Sequence, residues 1–500
     1  MEEKLDQLKQ ILHQVSDLHH AEAILGWDHQ TYMPEKGSEE RGEQLATISE
    51  MAHQIFTSEK TGNLLSELAP YADQLPSDST DARLIAVTQH EYEKKTKVPS
   101  DFVAEFSRVT TVAQGVWEKA KNTNDFALFQ PYLGKIIDLQ RSYTDLFKPY
   151  DHIYDPLLDD YEPGLKTRDV QNIFNTLRPQ QVELIRAISS RPQINAGFLH
   201  QKYDEDKQWQ FGIEVASKFG MEWSRSRQDK AAHPFTTSFG LNDVRITTRV
   251  MSDYLPSALF STMHESGHAM YELGFDPAFR RTPLADGASM AVHESQSRLW
   301  ENLVGRSFTF WQYFYPRLQQ LFPTQLENIA LEQFYQAINK VEPSFVRTES
   351  DEATYNLHIM LRLELEIALI EGSLEVKDLP EVWNTRFKEY FGITPPNHSL
   401  GVLQDVHWSS GLIGYFPTYA LGNLISVQLW EKIEEEIPSL DEQIGRGEFQ
   451  DLLGWLRKKV HVHGKKYEPQ QLVQLVTGSK IDPQPYMRYL NKKYRSIYHI

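Results

Sequence analysis

Two histidines four residues apart, with a glutamate beside the first, form the string best placed to do chemistry: His264-Glu265-Ser266-Gly267-His268. On an α-helix, positions i and i+4 share a face, so His264 and His268 would offer two imidazole nitrogens to one ion, with Glu265 alongside. Neutral imidazoles suit zinc, which takes a third protein ligand and keeps its fourth position for water. The ion lowers the pKa of that water towards ~7 and a neighbouring carboxylate accepts its proton, the chemistry of peptide-bond hydrolysis. By residue frequency such a string arises by chance in roughly one chain of this length in twenty, so its surroundings must carry the assignment. The competing reading is a surface helix that happens to hold two histidines and a glutamate.

The surroundings read as a helix. Pro256 stands near its start and Gly274 after its end, with Leu259, Phe260, Met263, Met270 and Leu273 available for a buried face. Gly267 inside that helix costs ~1 kcal/mol relative to alanine, which makes sense if a neighbour must approach closely. A third ligand belongs on a neighbouring helix, and residues 287–305 supply one carrying His293-Glu294. Successive helical positions point ~100° apart, so only one of that pair should face the ion. The competing reading for Glu294 is an i,i+4 pair with Arg298.

A carboxylate of a substrate could be held by Arg347, just ahead of a helix opening at Asp351, through its guanidinium fork. The competing reading pairs Arg347 with Asp351 or Glu352. Downstream, residues 401–408 place Gln404, Asp405, His407 and Trp408 in one polar, aromatic loop, and Tyr415 and Tyr419 follow as phenols able to donate to an oxyanion.

The elements that must position these groups are almost all helical. Leu5, Leu8, Ile11, Leu12 and Val15 trace one face of a first helix, and similar stripes occupy 38–70, 80–97, 100–122, 125–149, 168–190, 205–220, 323–340, 352–371, 421–435 and 439–461. Only 234–250 has a strand pattern, with a turn at 239–243 before a second strand from Val244 to Val250. A hairpin just before the metal helix would line a cleft in which an extended peptide pairs with an open strand edge. No repeat or low-complexity linker interrupts the chain, so residues 1–500 read as one body, two helical lobes flanking one cleft.

Composition narrows the functions. A net charge of −18 disfavours nucleic acid and anionic lipid as partners. Cysteine is absent, so any transition metal must sit on histidine and carboxylate, and the chain fits a reducing cytoplasm. No secretory signal is visible at the N-terminus, and the longest apolar stretch, residues 357–370, is broken by Arg362, Glu364 and Glu366.

Taken in order, several segments resemble the metallocarboxypeptidases of the thermostable carboxypeptidase Taq family. They are His233-Pro234-Phe235, Asp243-Val-Arg245-Ile-Thr247, the HESGH helix, His293-Glu294-Ser295-Gln296, Val346-Arg347-Thr-Glu-Ser350-Asp351 and Gly401-Val-Leu-Gln404-Asp405-Val-His407-Trp408. Trp27-Asp28-His-Gln-Thr-Tyr-Met33-Pro34 and the segment from Tyr486 also look like this family, so the likeness runs nearly end to end. The departures are Val346 where isoleucine is usual and Ser350 where alanine is common.

The resemblance implies an all-α fold, mainly helical with a small β-hairpin near the active site, and a deep central groove similar to that of neurolysin-type oligopeptidases. It implies a homodimer that releases C-terminal residues from peptides with broad specificity. By the same likeness His264, His268 and Glu294 become the zinc ligands and Glu265 the general base. Arg347, helped by Gln404, His407 and Trp408, becomes the reader of the substrate's terminal carboxylate. Tyr419, with Tyr415 as second candidate, becomes the oxyanion donor. It leaves His233 and Arg245 without a chemical role beyond a pairing of Arg245 with Asp243. Cobalt or manganese would also suit two histidines and a glutamate. A metallo-endopeptidase with the same site, or a non-catalytic helical binding protein, are the alternatives.

Overall fold

Helical periodicity translates directly into helices in the computed structural model, which describes residues 1–500. The first runs from Glu2 to Thr31 and buries Leu5, Leu8, Ile11, Leu12 and Val15 as expected. Thr80–Lys97 and Glu352–Glu371 match their expected bounds, and Ser100–Thr123, Thr167–Ser189 and Glu205–Phe219 lie within a residue of theirs. Three stripes are subdivided. The 38–70 stretch becomes Ser38–Phe56 and Glu59–Ala72, because Ser58 accepts from the Thr61 N–H and starts a new helix. The 323–340 stretch becomes Pro323–Leu326 and Leu331–Ile338, and 439–461 breaks near Gly447, whose φ of 70° an L side chain rarely adopts.

The apolar stretch at 357–370 lies in a helix buried on nearly every side, which is why it is apolar all round. Arg362 and Glu366 are fully buried in it, each with a partner. No helix is long and apolar enough to cross a membrane.

The expected hairpin forms from β2 (Thr236–Ser238) and β3 (Val244–Thr248), antiparallel with Thr236 opposite Ile246. A strand that hydrophobic patterning missed, β1 (Ser226–Lys230), adds parallel to β3, giving the order β1-β3-β2. Its sequence, SRQDK, carries no apolar signal, so only tertiary pairing reveals it. β3 is central and packs on the helix Leu255–Glu272. Buried apolar residues form one main cluster and a smaller one, the latter joining the first four long helices to Phe279 and Leu284.

Candidate active site

The helix Leu255–Glu272 carries Pro256 in its first turn and ends ahead of Gly274, so both boundaries fall where the residue types place them. His264 and His268 meet edge to face, ring centres 4.9 Å apart. Their Nε2 atoms lie 3.7 and 3.5 Å from the same oxygen, Glu294 Oε2. The ligand atoms of the three residues all fall within 4.8 Å of one another. An ion holding N and O at ~2.0–2.1 Å in tetrahedral geometry sets its ligand atoms ~3.4 Å apart, close to the two imidazole–carboxylate distances here, so the donor set suits a divalent metal.

Glu294 reaches this point because its helix, Met290–Arg298, is held tightly on two sides. A Cβ at Gly267 would stand 2.6 Å from both Gln296 O and Ser297 Cα, and one at Gly422 would stand 2.7 Å from Glu294 Cβ and Cγ. Gly267 is the gap through which the second helix approaches, as its cost in the first one suggested. The start of the helix is capped by Ser289, which accepts from Val292 N, and by Glu162, which accepts from Ala291 N at 2.6 Å. Burial pushes the Glu162 carboxyl up to about 8.

Each imidazole is held from behind by a different device. His264 Nδ1 is 2.9 Å from Glu301 Oε2, and Arg298 bridges Glu301 to Glu294 Oε1. Glu294 is buried rather than surface-paired, and turns one oxygen to the imidazoles and the other to Arg298. His268 Nδ1 lies 2.6 Å from His293 Nδ1, and His293 Nε2 lies 2.8 Å from Glu272 Oε1. His293 thus faces away from the ion, as the 100° step requires. Burial pushes His268 down to about 3, which keeps its ring neutral and able to coordinate. Sequence reasoning missed Glu301 and Glu272. Glu301 is seven residues beyond Glu294 on the same helical face, a signal that was present; Glu272 likewise sits four residues beyond His268.

Glu265 is 6% exposed, and burial raises its carboxyl above the usual range, a shift that suits a base. Thr236 Oγ1 donates to its Oε2 at 2.6 Å. The motif residues around this strand act as a frame. Thr247 Oγ1 accepts from Phe235 N, and Thr247 N donates to Phe235 O. Arg245 takes both oxygens of Asp243 at 2.9 Å, as expected, and its guanidinium also lies between Trp27 and Phe239 at 4.3 and 4.6 Å. Tyr32 donates to Asp229 on β1, so the end of the first helix docks on the sheet. His233 is exposed and contributes only its backbone carbonyl, to Thr247 Oγ1.

The second half of the expected site gathers around Asp405. Arg347 is 6% exposed, and pairs with neither Asp351 nor Glu352. Its Nε donates to Asp405 Oδ1 at 3.0 Å and its Nη1 to Tyr355 Oη at 2.9 Å. Only part of the guanidinium's donor set is thereby used. Asp351 instead caps the following helix, and Glu352 binds Lys493. Asp405 is shared with the fully buried Arg362, and the two cations hold its carboxyl well below the usual range, against the cost of burial. Tyr355 also presents its ring face to Arg298, 4.8 Å away, so one side chain links the Arg347 corner to the metal trio.

Two of the residues expected to touch a substrate carboxylate are turned inward. Gln404 accepts from Arg347 N, and its amide nitrogen lies on the carbonyls of Phe345, Leu400 and Gly401. Trp408 spends its only donor on Glu366 Oε1 at 2.7 Å. Neither has a hydrogen left for a ligand, so both brace the loop. His407 packs on Phe416, and burial pushes it down to about 4, so it is neutral near pH 7. Its Nε2 is 3.5 Å from Tyr419 Oη. Tyr415 and Tyr419 meet at 5.3 Å between ring centres, and burial raises both phenols. Arg347 lies 5.0 Å over the Tyr419 ring.

Comparison with known proteins finds the same family along nearly the whole chain. The profile of the family described as Carboxypeptidase Taq (M32) metallopeptidase matches residues 7–494. The chain is 39% identical to thermostable carboxypeptidase 1 of Thermus thermophilus, covering 95% of each protein. It is 37% identical to carboxypeptidase 1 of Bacillus subtilis, covering 98% of this chain and 97% of that one. The crystal structure of the M32 carboxypeptidase of Deinococcus radiodurans R1 superposes with a TM-score of 0.97 at 38% identity, covering 99% of this chain and 100% of the other.

Proposed function

The chain belongs to the carboxypeptidase Taq (M32) metallopeptidase family and is a metallocarboxypeptidase, and from that premise we propose which residues perform the reaction. His264, His268 and Glu294 hold the metal, which we take to be zinc, with cobalt or manganese as accepted substitutes. The observation that carries this is the convergence of both Nε2 atoms on one Glu294 oxygen at 3.5 and 3.7 Å. A divalent ion bound there supplies Lewis-acid polarisation of the scissile carbonyl and acidifies a water molecule.

Glu265 accepts the proton of the attacking water and delivers it to the leaving amine. Its buried carboxylate, fixed by Thr236 through one oxygen, is suited to this exchange. Tyr419, with Tyr415 beside it, donates to the oxyanion. Arg347 holds the substrate's terminal carboxylate through the hydrogens that Asp405 and Tyr355 leave unused. His407 keeps a neutral ring beside Tyr419, and Gln404 and Trp408 position the loop. The peptide lies extended in a cleft between two lobes of a single domain, pairing with β2, which is the edge strand next to the metal helix. Arg347 at the end of that cleft makes the last peptide bond the one presented to the metal. In keeping with the family likeness, we propose a homodimer acting on peptides in the cytoplasm.

Glu265→Gln tests the assignment. It should retain metal and lose turnover by at least roughly a hundredfold, the scale of general-base catalysis; near-native turnover removes Glu265 from the mechanism.

A further inference from the structure

We propose that Thr236 is the positioning residue of the general base, an inference that rests on Glu265 having that role. Thr236 Oγ1 lies 2.6 Å from Glu265 Oε2 and 3.1 Å from the Glu265 backbone carbonyl. A hydroxyl has one hydrogen, and the shorter distance and the ionisable acceptor assign it to the carboxylate, as expected of a charge-assisted bond. Thr236 is the single protein donor to that carboxylate; Oε1 receives none.

The hydroxyl is placed by an element independent of the metal helix. Thr236 sits in β2 opposite Ile246, which is fully buried in β3. Its neighbour Phe235 is tied to Thr247 through both its N–H and its carbonyl. A β-branched side chain on a pinned strand has little χ1 freedom, so the hydroxyl is a fixed point. Helix and sheet therefore approach Glu265 from two sides: the helix sets where the carboxylate is rooted, and Thr236 sets its rotation. With Oε2 tethered to the sheet, Oε1 is the oxygen left to exchange protons. The Thr236 hydroxyl makes no hydrogen bond to the metal trio or to the Asp405 corner, which separates orientation of the base from metal binding and from substrate anchoring. It also gives the His233-Pro234-Phe235 and Asp243-to-Thr247 segments a purpose: they register the strand that carries the hydroxyl.

The test compares Thr236→Val, Thr236→Ser and Thr236→Ala with the native enzyme for kcat and KM on one free-acid peptide, bound metal and melting temperature. Thr236→Val should lower kcat roughly ten- to a hundredfold, the scale of one hydrogen bond to a charged group, with KM and metal content unchanged. Thr236→Ser should return kcat to within about threefold of native, the residue differing only by a methyl. Should the valine variant fail to fold, the serine–alanine pair isolates the hydroxyl, and serine should be at least about tenfold faster. Equal kcat in serine and alanine, or a valine variant within about twofold of native, overturns the proposal. Glu265→Gln measured alongside keeps the two ideas apart: an inactive glutamine variant with a normal valine variant removes only Thr236, while an active glutamine variant removes the general base itself.

Discussion

The Nδ1 atoms of His268 and His293 lie 2.6 Å apart. Two lone pairs cannot face each other at that distance, so one nitrogen carries a hydrogen. For His268 to coordinate a metal through Nε2, as proposed, its Nδ1 must be the protonated one and donate to His293. His293 then bears its own hydrogen on Nε2, where Glu272 accepts it at 2.8 Å. The ligand orientation of His268 is thus set by a residue two links away, whereas His264 leans directly on Glu301.

Breaking that chain should loosen the metal while sparing the fold. His293→Ala and Glu272→Ala are each expected to weaken metal affinity about 10- to 100-fold, the usual cost of losing a partner behind a ligand. Competition with a chelator of known affinity measures it. Native affinity in both variants would show that His268 needs no such support.

Gly267→Ala pits two effects against each other. Alanine improves helix propensity by ~1 kcal/mol, but its Cβ would stand 2.6 Å from the backbone of Gln296 and Ser297. Backbone cannot swing aside, so overpacking wins, with a net loss of roughly 1–3 kcal/mol and a displaced Glu294. Urea unfolding and metal content should both fall; a stabilised variant would mean that the two helices can separate without consequence.

Asp405 is the one carboxylate paired with both a fully buried Arg362 and a nearly buried Arg347. Asp405→Ala should cost about 3–5 kcal/mol, because it strands a charge that burial forbids. Replacing Arg362 by methionine in the same chain should recover most of that stability, though not the holding of Arg347. A single variant within about 1 kcal/mol of native would show that water reaches the cluster.

Acid stability carries the sign of the buried histidines. Burial pushes His461 down to about 3 and His407 to about 4. Below pH ~6.5 the unfolded chain takes up protons that these rings refuse in the folded state, so their contribution is complete above ~6.5 and is lost as pH falls towards those values. Glu162, raised to about 8, acts in the other direction: its contribution is complete below ~4.5 and is lost as pH rises through 8. A single-residue variant separates them. Between pH 7 and 5, His461→Gln should lose about 2 kcal/mol less stability than the native protein; equal losses would show that His461 titrates normally.

Local features of this protein were legible in the sequence because they depend on periodicity. The shared face of His264 and His268, and the rule that only one of His293 and Glu294 can face them, follow from 3.6 residues per turn; the choice of Glu294 came from the family resemblance. Contacts made only on folding were not. Thr236 meets Glu265 across 29 positions, and nothing in its neighbourhood distinguishes that hydroxyl from any other in a strand. Arg347 found Asp405 rather than the nearer Asp351, because Asp351 is consumed in capping its own helix. Gln404 and Trp408 have side chains that could read a carboxylate, and only packing shows that their hydrogens are already taken. β1 lacked any apolar pattern and is a strand solely because β3 lies beside it.

The central claim, that Arg347 presents a chain end to the metal trio, is tested most directly with one peptide in two forms, free acid and C-terminal amide, each followed by mass spectrometry. The free acid should lose residues one at a time from its C-terminus, and the amide should react at least about a hundredfold more slowly, the loss expected when charge-assisted hydrogen bonds from Arg347 to a terminal carboxylate are not made. Equal rates for the two forms, or release of internal fragments from both, would contradict it.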